Sequence, residues 1–390
     1  MVKNNRSAPT LAAVLMRVWM QRGPLALLLW PLAQLFGAVA ALRRAAYAGG
    51  VLRAVRLPVP VIVVGNLFVG GTGKTPLTIW MVEALRHAGF HPGVISRGYG
   101  NHAAGDAVRA VHVESNAAVL GDEPVLIVRR TGCALVVGRD RVAAATALLA
   151  ANPGIDVIIS DDGLQHYRMQ RDIEIVLGDG RGNGNGWLLP AGPLREPVSR
   201  RRDFTVINFG ATPPQPAGPP TSSTATRRAT APATTASPSP SPSSSSSSSS
   251  ISSSSSTVPI PMTLALAPAE QLRDRQQRMA LPALAAMRPG GVIVAAAGMG
   301  NPTRFFDSLV AAGLASFSRM PLPDHHVFDA NTFADCAADL ILITEKDAVK
   351  CQQIVALATD ARLWVVPVSA QLPQTFADNI VERLRGYAIA

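Results

Sequence analysis

Cysteine is scarce in this chain of 390 residues: only Cys133, Cys336 and Cys351 occur, odd in number and far apart, with no C-x-x-C pair and no histidine pattern beside them. Neither a disulfide framework nor a structural zinc site is supported, and reduced thiols in a cytosolic compartment are expected. Charge is also scarce, at 16% of residues against 48% apolar. Such a chain is too apolar to be disordered throughout and long enough for two domains of ordinary size. Aromatics make up 5%, and few stand near the basic residues, which are mostly arginines scattered along the chain. With no recognised nucleic-acid-binding motif, this argues against a nucleic-acid partner. Acid is outnumbered, 26 Asp and Glu against 36 Lys and Arg, for a net charge of +10. That balance favours an anionic partner such as a phosphorylated substrate or an anionic membrane. No internal repeat and no sign of a protein partner is found.

One stretch lacks charge altogether. Residues 23–42 read GPLALLLWPLAQLFGAVAAL, with Gln34 the only strongly polar side chain, a length that can span a bilayer. Arg17 and Arg22 precede it, Arg43, Arg44, Arg53 and Arg56 follow it, and Trp19, Trp30 and Tyr47 are suited to anchoring at an interface. Three membrane-related readings fit: a spanning helix, a helix embedded in the interface, and a signal peptide with an A-x-A-like site at 38–40. A helix buried in a soluble core also satisfies the composition. Pro31 would kink a spanning helix and favours the embedded or interfacial form. The nucleotide loop described next opposes export, because an exported enzyme finds no ATP.

The β-branched run VPVIVV at 59–64 has the character of a strand buried on both faces. It leads into GNLFVGGTGKTP at 65–76 and then into a helical stretch that stops at Gly89. Strand, glycine-rich loop and helix stand in the order a phosphate cradle needs. The candidate nucleotide-binding residues are Phe68, Val69, Gly70, Gly71, Thr72, Gly73, Lys74 and Thr75. Backbone N–H groups turn inward on the phosphates, Lys74 reaches the β- and γ-phosphates, and the Thr75 hydroxyl binds Mg²⁺ at the start of the helix. Pro76 falls in the first helical turn, where no donor is needed. The strict G-x-x-x-x-G-K-[ST] pattern is not met, since Phe68 takes the first glycine's place. Val69 stands where dimerising membrane-associated ATPases carry lysine.

A phosphate loop needs a metal-binding carboxylate and a group that orients the acceptor. The apolar IDVIIS at 155–160 runs into Asp161-Asp162-Gly163, the usual place for a Mg²⁺ ligand at the tip of a parallel strand, although Asp-Asp-Gly is also a common solvent turn. Asp122-Glu123-Pro124 stands at the start of a strand or helix and on its own reads equally as a capping cluster. Asp324-His325-His326 follows a proline-rich loop. Its residues alone read as loop histidines in solvent, although an aspartate that orients a histidine is a recurrent acid–base arrangement.

Taken together, VGNLFVGGTGKTP (64–76), ISRGYG (95–100), GDEP (121–124), SDDGLQH (160–166), LLPAGPLREP (188–197), AGMGNPTRFF (297–306), PDHH (323–326) and ITEKDAVK (343–350) resemble the tetraacyldisaccharide 4′-kinases. That family phosphorylates the lipid A disaccharide precursor of Gram-negative bacteria. The resemblance covers nearly the whole chain apart from 211–258. It implies a P-loop fold of two α/β/α domains with the active site in the cleft between them, ATP and Mg²⁺ as cofactors, and a lipid A disaccharide precursor as substrate. It also implies an N-terminal helix that meets inner-membrane lipids from the cytoplasmic side. Asp122 is then expected to activate the sugar 4′-hydroxyl with help from His325, Asp161 and Asp162 to lie near Mg²⁺, and Glu196 near the metal or nucleotide. Arg97 and Tyr99 are expected close to the phosphates or the acceptor. Phe68 departs from the family's Thr or Ser there, which puts one side-chain contact in question and leaves the backbone cradle intact. The competing reading is a membrane-tethered nucleotide switch. A switch needs a base-selecting motif such as N-K-x-D, which is missing, whereas a kinase needs an acceptor-facing acid, which Asp122 with His325 offers.

The expected organisation is α/β: a membrane-associated helical segment at 1–50, a P-loop parallel-sheet domain at 51–210, and a second, smaller α/β domain at 259–390. The last is read from GVIVAAAG at 291–298, DLILIT at 339–344 and LWVVPV at 363–368, with an amphipathic helix at 375–386. Between the domains, 211–258 turns to Pro, Thr, Ala and Ser and ends in runs of eight and five serines. Such a tract has too little apolar surface to fold and reads as a tolerated surface insertion. Replacing 211–258 with a short linker is therefore expected to keep specific activity within a few-fold of the parent, as measured by steady-state turnover; a folded but inactive product would make the tract part of the machine.

Overall fold

The computed structural model describes residues 11–98, 107–211, 258–287 and 289–387. All but the two end residues of the tract at 211–258 lie outside the described residues, as does Tyr99.

The chain opens with two helices, α1 (Leu11–Met20) and α2 (Pro24–Ala48), and then builds a sheet from β1 (Val61–Gly65), β2 (Pro92–Ser96), β3 (Arg109–Val111), β4 (Leu135–Val137), β5 (Val157–Asp161), β6 (Ile173–Asp179) and β7 (Phe204–Asn208). Between these strands run α3 (Lys74–His87), α4 (Ala117–Leu120), α5 (Asp122–Thr131) and α6 (Arg141–Ala151). β8 (Ile260–Leu266) extends the same sheet. A second sheet then takes β9 (Ala269–Gln271), β10 (Arg278–Met279), β11 (Ile293–Ala297), β12 (Ser318–Pro321), β13 (Leu340–Thr344) and β14 (Leu363–Val366), with α7 (Leu281–Ala286), α8 (Pro302–Ala311), α9 (Glu345–Cys351) and α10 (Val355–Ala358). Finally β15 (Val368–Gln371) and α11 (Gln374–Tyr387) close the chain.

The first sheet has nine strands in the order β15-β8-β7-β6-β1-β5-β2-β4-β3, parallel from β8 to β4 with an antiparallel strand at each edge. Its inner strands β1, β2 and β5 are buried at every residue, as expected where helices cover both faces of a parallel sheet. One face packs on α3, α5 and α11 through Leu77, Met81, Val125, Ile127, Phe376 and Ile380. The other packs on α6 and on the loop residues Leu67, Phe68 and Leu164. The second sheet is smaller, in the order β10-β9-β14-β13-β11-β12, with its four central and edge strands β14 to β12 parallel.

The segment read as a second domain from 259 onward does not keep to the second sheet. β8, β15 and α11 join the first one, because Met262, Ala370, Phe376, Ile380 and Leu384 are apolar positions buried against its core. The apolar N-terminal run is helical as expected: α2 has Pro31 within it and buries only Ala26 and Ala33. Leu27, Leu28, Leu32, Leu35, Val39 and Leu42 are exposed, so the soluble-core reading of this helix is not what forms. By length and composition the helix can cross a membrane.

Phe376 is fully buried, stacks on Trp80 with centroids 5.5 Å apart and meets the edge of Phe204 at 5.2 Å. Phe376→Ala is expected to lower the unfolding free energy by about 3–5 kcal/mol, as read by denaturant titration; a loss under about 1 kcal/mol would mean that α11 is not part of the first sheet's core.

Candidate active site

The phosphate loop leaves β1 at Gly65 and enters α3 at Lys74. Two of its glycines require the left-handed region: Gly70 has φ +103° and Gly73 +100°, where a Cβ costs conformational energy. A Cβ on Gly73 would also collide with the amide of Asn208, which donates to the Thr72 carbonyl at 2.8 Å from the end of β7. Inside the loop, the buried Asn66 amide donates to the carbonyls of Phe68 and Gly70 and accepts from Lys74 Nζ at 3.1 Å. Asn66 therefore staples the loop and aims its lysine. Thr72 Oγ1 is buried without a hydrogen-bond partner among the described residues. Phe68 contributes backbone alone, since its ring is buried in the core behind the loop with the Arg181 guanidinium 4.3 Å above it. The N–H of Val69 is already given to Pro193 O at 2.9 Å.

β5 delivers the acids. Asp161 ends the strand beside Val64 of β1 and accepts weakly from Thr78 Oγ1 at 3.5 Å and Ser96 Oγ at 3.2 Å. Its complete burial, with Glu123 nearby, raises its pKa against the pull of Lys74. Asp162, at φ +49°, turns back to Lys74 at 3.6 Å and to Arg195 at 3.2 Å. Burial opposes its ionisation, but the charges of Lys74 and Arg195 bring its pKa below the ordinary value. Two adjacent carboxyls are thus driven apart in acidity. Thr75 stands one turn before Thr78 on the same face of α3, and its hydroxyl with the carboxylates of Asp161 and Asp162 makes up the oxygen donor set a hard divalent cation prefers. Such a cation would also relieve the buried charge of Asp161.

Glu196 stands among cations. Its oxygens are taken by Arg44 at 2.9 Å, Arg200 at 2.7 Å and the Tyr167 hydroxyl. Arg44 and Arg200 share Oε2 and the Tyr167 hydroxyl takes Oε1, so Glu196 also anchors the end of α2. Its neighbour Arg195, which carried no role in the sequence reading, is the residue of that motif that reaches the acids. Arg97 is exposed.

Asp122 is the first residue of α5, entered through Gly121 at φ +96°. Its Oδ1 accepts from Glu123 N at 2.9 Å; its Oδ2 meets His325 Nδ1 at 3.1 Å and Lys350 Nζ at 2.8 Å. Burial disfavours its charge, yet the hydrogen bond from His325 and the ammonium groups of Lys346 and Lys350 outweigh it and hold the carboxyl far below its ordinary range. The same bond raises the pKa of His325. The His325 side chain is 39% exposed against 1% for Asp122. Asp122, Glu123 and His325 offer ligand atoms within 4.8 Å of one another, but Lys350 on Asp122 and Lys346 on Glu123 at 3.3 Å already supply the positive charge there.

These two centres face each other because the second sheet docks on the first beside the phosphate loop. Arg304 of α8 reaches Asp179 at the end of β6 at 2.9 Å. Asp179 also holds Arg181, which donates to Gly71 O at 3.1 Å. A Cβ on Gly300 would stand 3.3 Å from Gly71 N. Asn66 and Arg304 stood inside quoted motifs without a role, while Asp179 and Arg181 lay outside every motif. Lys346 and Lys350 had two signals, their place in ITEKDAVK and their i, i+4 spacing on a helix that starts at a strand tip.

A family model described as tetraacyldisaccharide-1-P 4′-kinase matches residues 25–385. Among curated relatives, a tetraacyldisaccharide 4′-kinase of Herminiimonas arsenicoxydans is 55% identical and covers 98% of both chains. One of Janthinobacterium sp. (strain Marseille) is 54% identical, covering 96% of this chain and 97% of its own. Among solved structures, LpxK from Aquifex aeolicus, described as an "apo" form in complex with ATP, matches with a TM-score of 0.66 at 23% identity. It covers 92% of this chain and 99% of its own, and supports the fold.

Because Lys74 packs in no core cluster and, among the described residues, is held by Asn66 and Asp162, Lys74→Ala is expected to abolish ATP-dependent turnover with an unchanged circular dichroism spectrum. Normal turnover in that variant would remove the phosphate loop from the reaction.

Proposed function

The chain belongs to the tetraacyldisaccharide 4′-kinase family, and from that premise we propose that it transfers the γ-phosphate of ATP to the 4′-hydroxyl of a tetraacyldisaccharide 1-phosphate, a late step of lipid A biosynthesis, at the cytoplasmic face of a bacterial inner membrane. The observation that carries this reading is the Asp122–His325 pair, a buried acid and a half-exposed imidazole from the two sheets, joined beside a phosphate loop.

In the proposed mechanism the loop N–H groups and Lys74 would hold the ATP phosphates, and Thr75, Asp161 and Asp162 would hold Mg²⁺. The metal, when bound, neutralises charge on the transferring phosphoryl group. The 4′-hydroxyl oxygen forms a bond to the γ-phosphorus, the bond from that phosphorus to the β,γ-bridging oxygen breaks, and ADP departs. The hydroxyl's proton passes to the Asp122–His325 pair as the new bond forms. An acid held as far below its ordinary range as Asp122 is a weak base alone; the imidazole that shares its hydrogen bond makes the pair effective. The exposed apolar side of α2, flanked by Arg43, Arg44, Arg53 and Arg56, fits an interfacial or embedded position in which the acyl chains stay in the membrane while the sugar reaches the site.

The test is transfer of labelled γ-phosphate from ATP to a tetraacyldisaccharide 1-phosphate in detergent micelles; hydrolysis of ATP without labelled lipid would favour a nucleotide switch. Within that assay, Asp122→Ala is expected to lower kcat by roughly 10²–10⁴-fold with the KM for ATP nearly unchanged. His325→Ala should cost less, and the double variant should be little worse than Asp122→Ala, because the two act as a unit. Losses that multiply, or a rise in KM for MgATP with kcat preserved, would make Asp122 a metal or nucleotide ligand.

A further inference from the structure

The ITEKDAVK segment at 343–350 has no part in the mechanism above, yet the structure gives nearly every one of its side chains a partner. Thr344 caps α9 by accepting from Asp347 N, and Asp347 is fully buried, accepting from Gly298 N at 3.0 Å and from Thr344 Oγ1 at 2.7 Å. These two turn inward and fix α9 on its own sheet. The rest turn outward, toward the first sheet. Glu345 pairs with Arg130 at 2.7 Å, and Lys346 bridges Glu123 at 3.3 Å and Asp324 at 3.2 Å. Lys350, one turn on, is 14% exposed and meets Asp122 Oδ2 at 2.8 Å and the His326 carbonyl at 3.1 Å. Immediately after the segment, Gln352 takes Arg129, and Gln353 closes the contact through Ala117 N and Ser115 O.

We infer that Lys350 is a positioning residue for phosphotransfer: one ammonium holds both halves of the Asp122–His325 pair, the acid through its Oδ2 and the histidine's loop through the neighbouring His326 carbonyl. This rests on the pair as the acceptor-activating group. Three features of the geometry carry it. Lys350 and His325 Nδ1 share a single carboxylate oxygen while Glu123 N holds the other, so the plane of the acid is fixed by donors on both sides. His325 has φ +55°, a conformation costly for a non-glycine residue that must be held by its surroundings. The Lys350 carbonyl contact falls on the very next residue. Finally, the lysine comes from the second sheet and the acid from the first, so the contact exists only when the two are docked. A pair misplaced by 1 Å loses much of its effect even when both members are present.

The charge of Lys350 has a separate signature. Around Asp122 stand Glu123 on α5, Lys346 and Lys350 on α9, and His325 and Asp324 on the loop after β12. Removing one cation from this group makes both Asp122 and His325 bind protons more readily. The form required to accept the hydroxyl proton has Asp122 ionised and His325 neutral, so activity is lost on the acid side at a higher pH than in the parent.

The experiment compares the full chain with Lys350→Met, Lys350→Gln and Lys350→Arg in the phosphotransfer assay from pH 5 to 9, beside an NMR titration of the His325 C2 proton, assigned with His325→Gln. Lys350→Met and Lys350→Gln are expected to lower kcat by about 10–100-fold with the KM for ATP unchanged. Both should move the acid limb of the kcat profile and the His325 titration upward by roughly one pH unit. Lys350→Arg, which keeps the charge, should return the limb and the titration to the parent's positions while recovering part of kcat. A limb and a titration that stay where the parent has them would overturn the inference, whatever the loss of rate, and would leave Lys350 a docking contact between the sheets. If the parent itself transfers no phosphate, the functional reading fails, and the titration still decides whether Lys350 governs the pair; should Lys350→Met fail to fold, the glutamine and arginine variants carry the same readouts.

Discussion

A carboxylate removed from water stays charged only where other donors replace the water it has lost, and at Asp122 those donors come from three separate segments. Glu123 supplies a backbone N–H from the same helix, His325 an imidazole from the loop after β12, and Lys350 an ammonium from α9. Two of the three belong to the other sheet. Neither sheet can satisfy this acid alone, so the docking of α9 on α5 and the formation of the site are one event. The flanking pairs, Arg130 with Glu345 and Lys346 with Glu123, follow the same plan of cation against anion across the seam.

On the nucleotide side the charge pattern is reversed. Asp161 is buried with weak donors and a raised pKa, while Asp162 beside it is held ionised by Lys74 and Arg195. Positive groups gather where phosphates would lie: Lys74 at the helix start, and Arg181 and Arg304 converging on Asp179. On the proposed reading the cationic end would take the nucleotide and the acid–imidazole pair the acceptor, with the reacting atoms between them.

What was legible in the sequence were the features whose physics is local. A β-branched run before GGTGKT can hardly be anything but a buried strand entering a phosphate loop, and β1 and α3 bear this out. Asp161 at a strand tip followed from the same logic. The pairing of Asp122 with His325 was legible only through the family resemblance, since the two lie 203 residues apart in the chain and nothing beside Asp122 distinguishes it from a helix cap; Lys350, its other distant partner, was given no role. The cations and hydroxyl around Glu196, namely Arg44, Arg200 and Tyr167, were out of reach for the converse reason: they come from how α2 packs and not from the motif that Glu196 belongs to. The sheet membership of β8, β15 and α11 was also out of reach, since an apolar strand pattern says that a segment is buried and not against which sheet.

That membership shapes how the molecule can move. The chain passes into the second sheet between Leu266 and Ala269 and returns between Val366 and Val368. The two crossings run side by side, with Leu266 opposite Val368 and Ala267 N donating to Pro367 O at 3.0 Å. The second sheet therefore hangs from a two-stranded ribbon, and a ribbon bends across its face far more easily than it twists or stretches. Any opening of the second sheet from the first would turn about the line of these crossings. Two paired crossings restrict the ways the second sheet can sit on the first more than a single flexible tether would, which favours one register of α9 on α5.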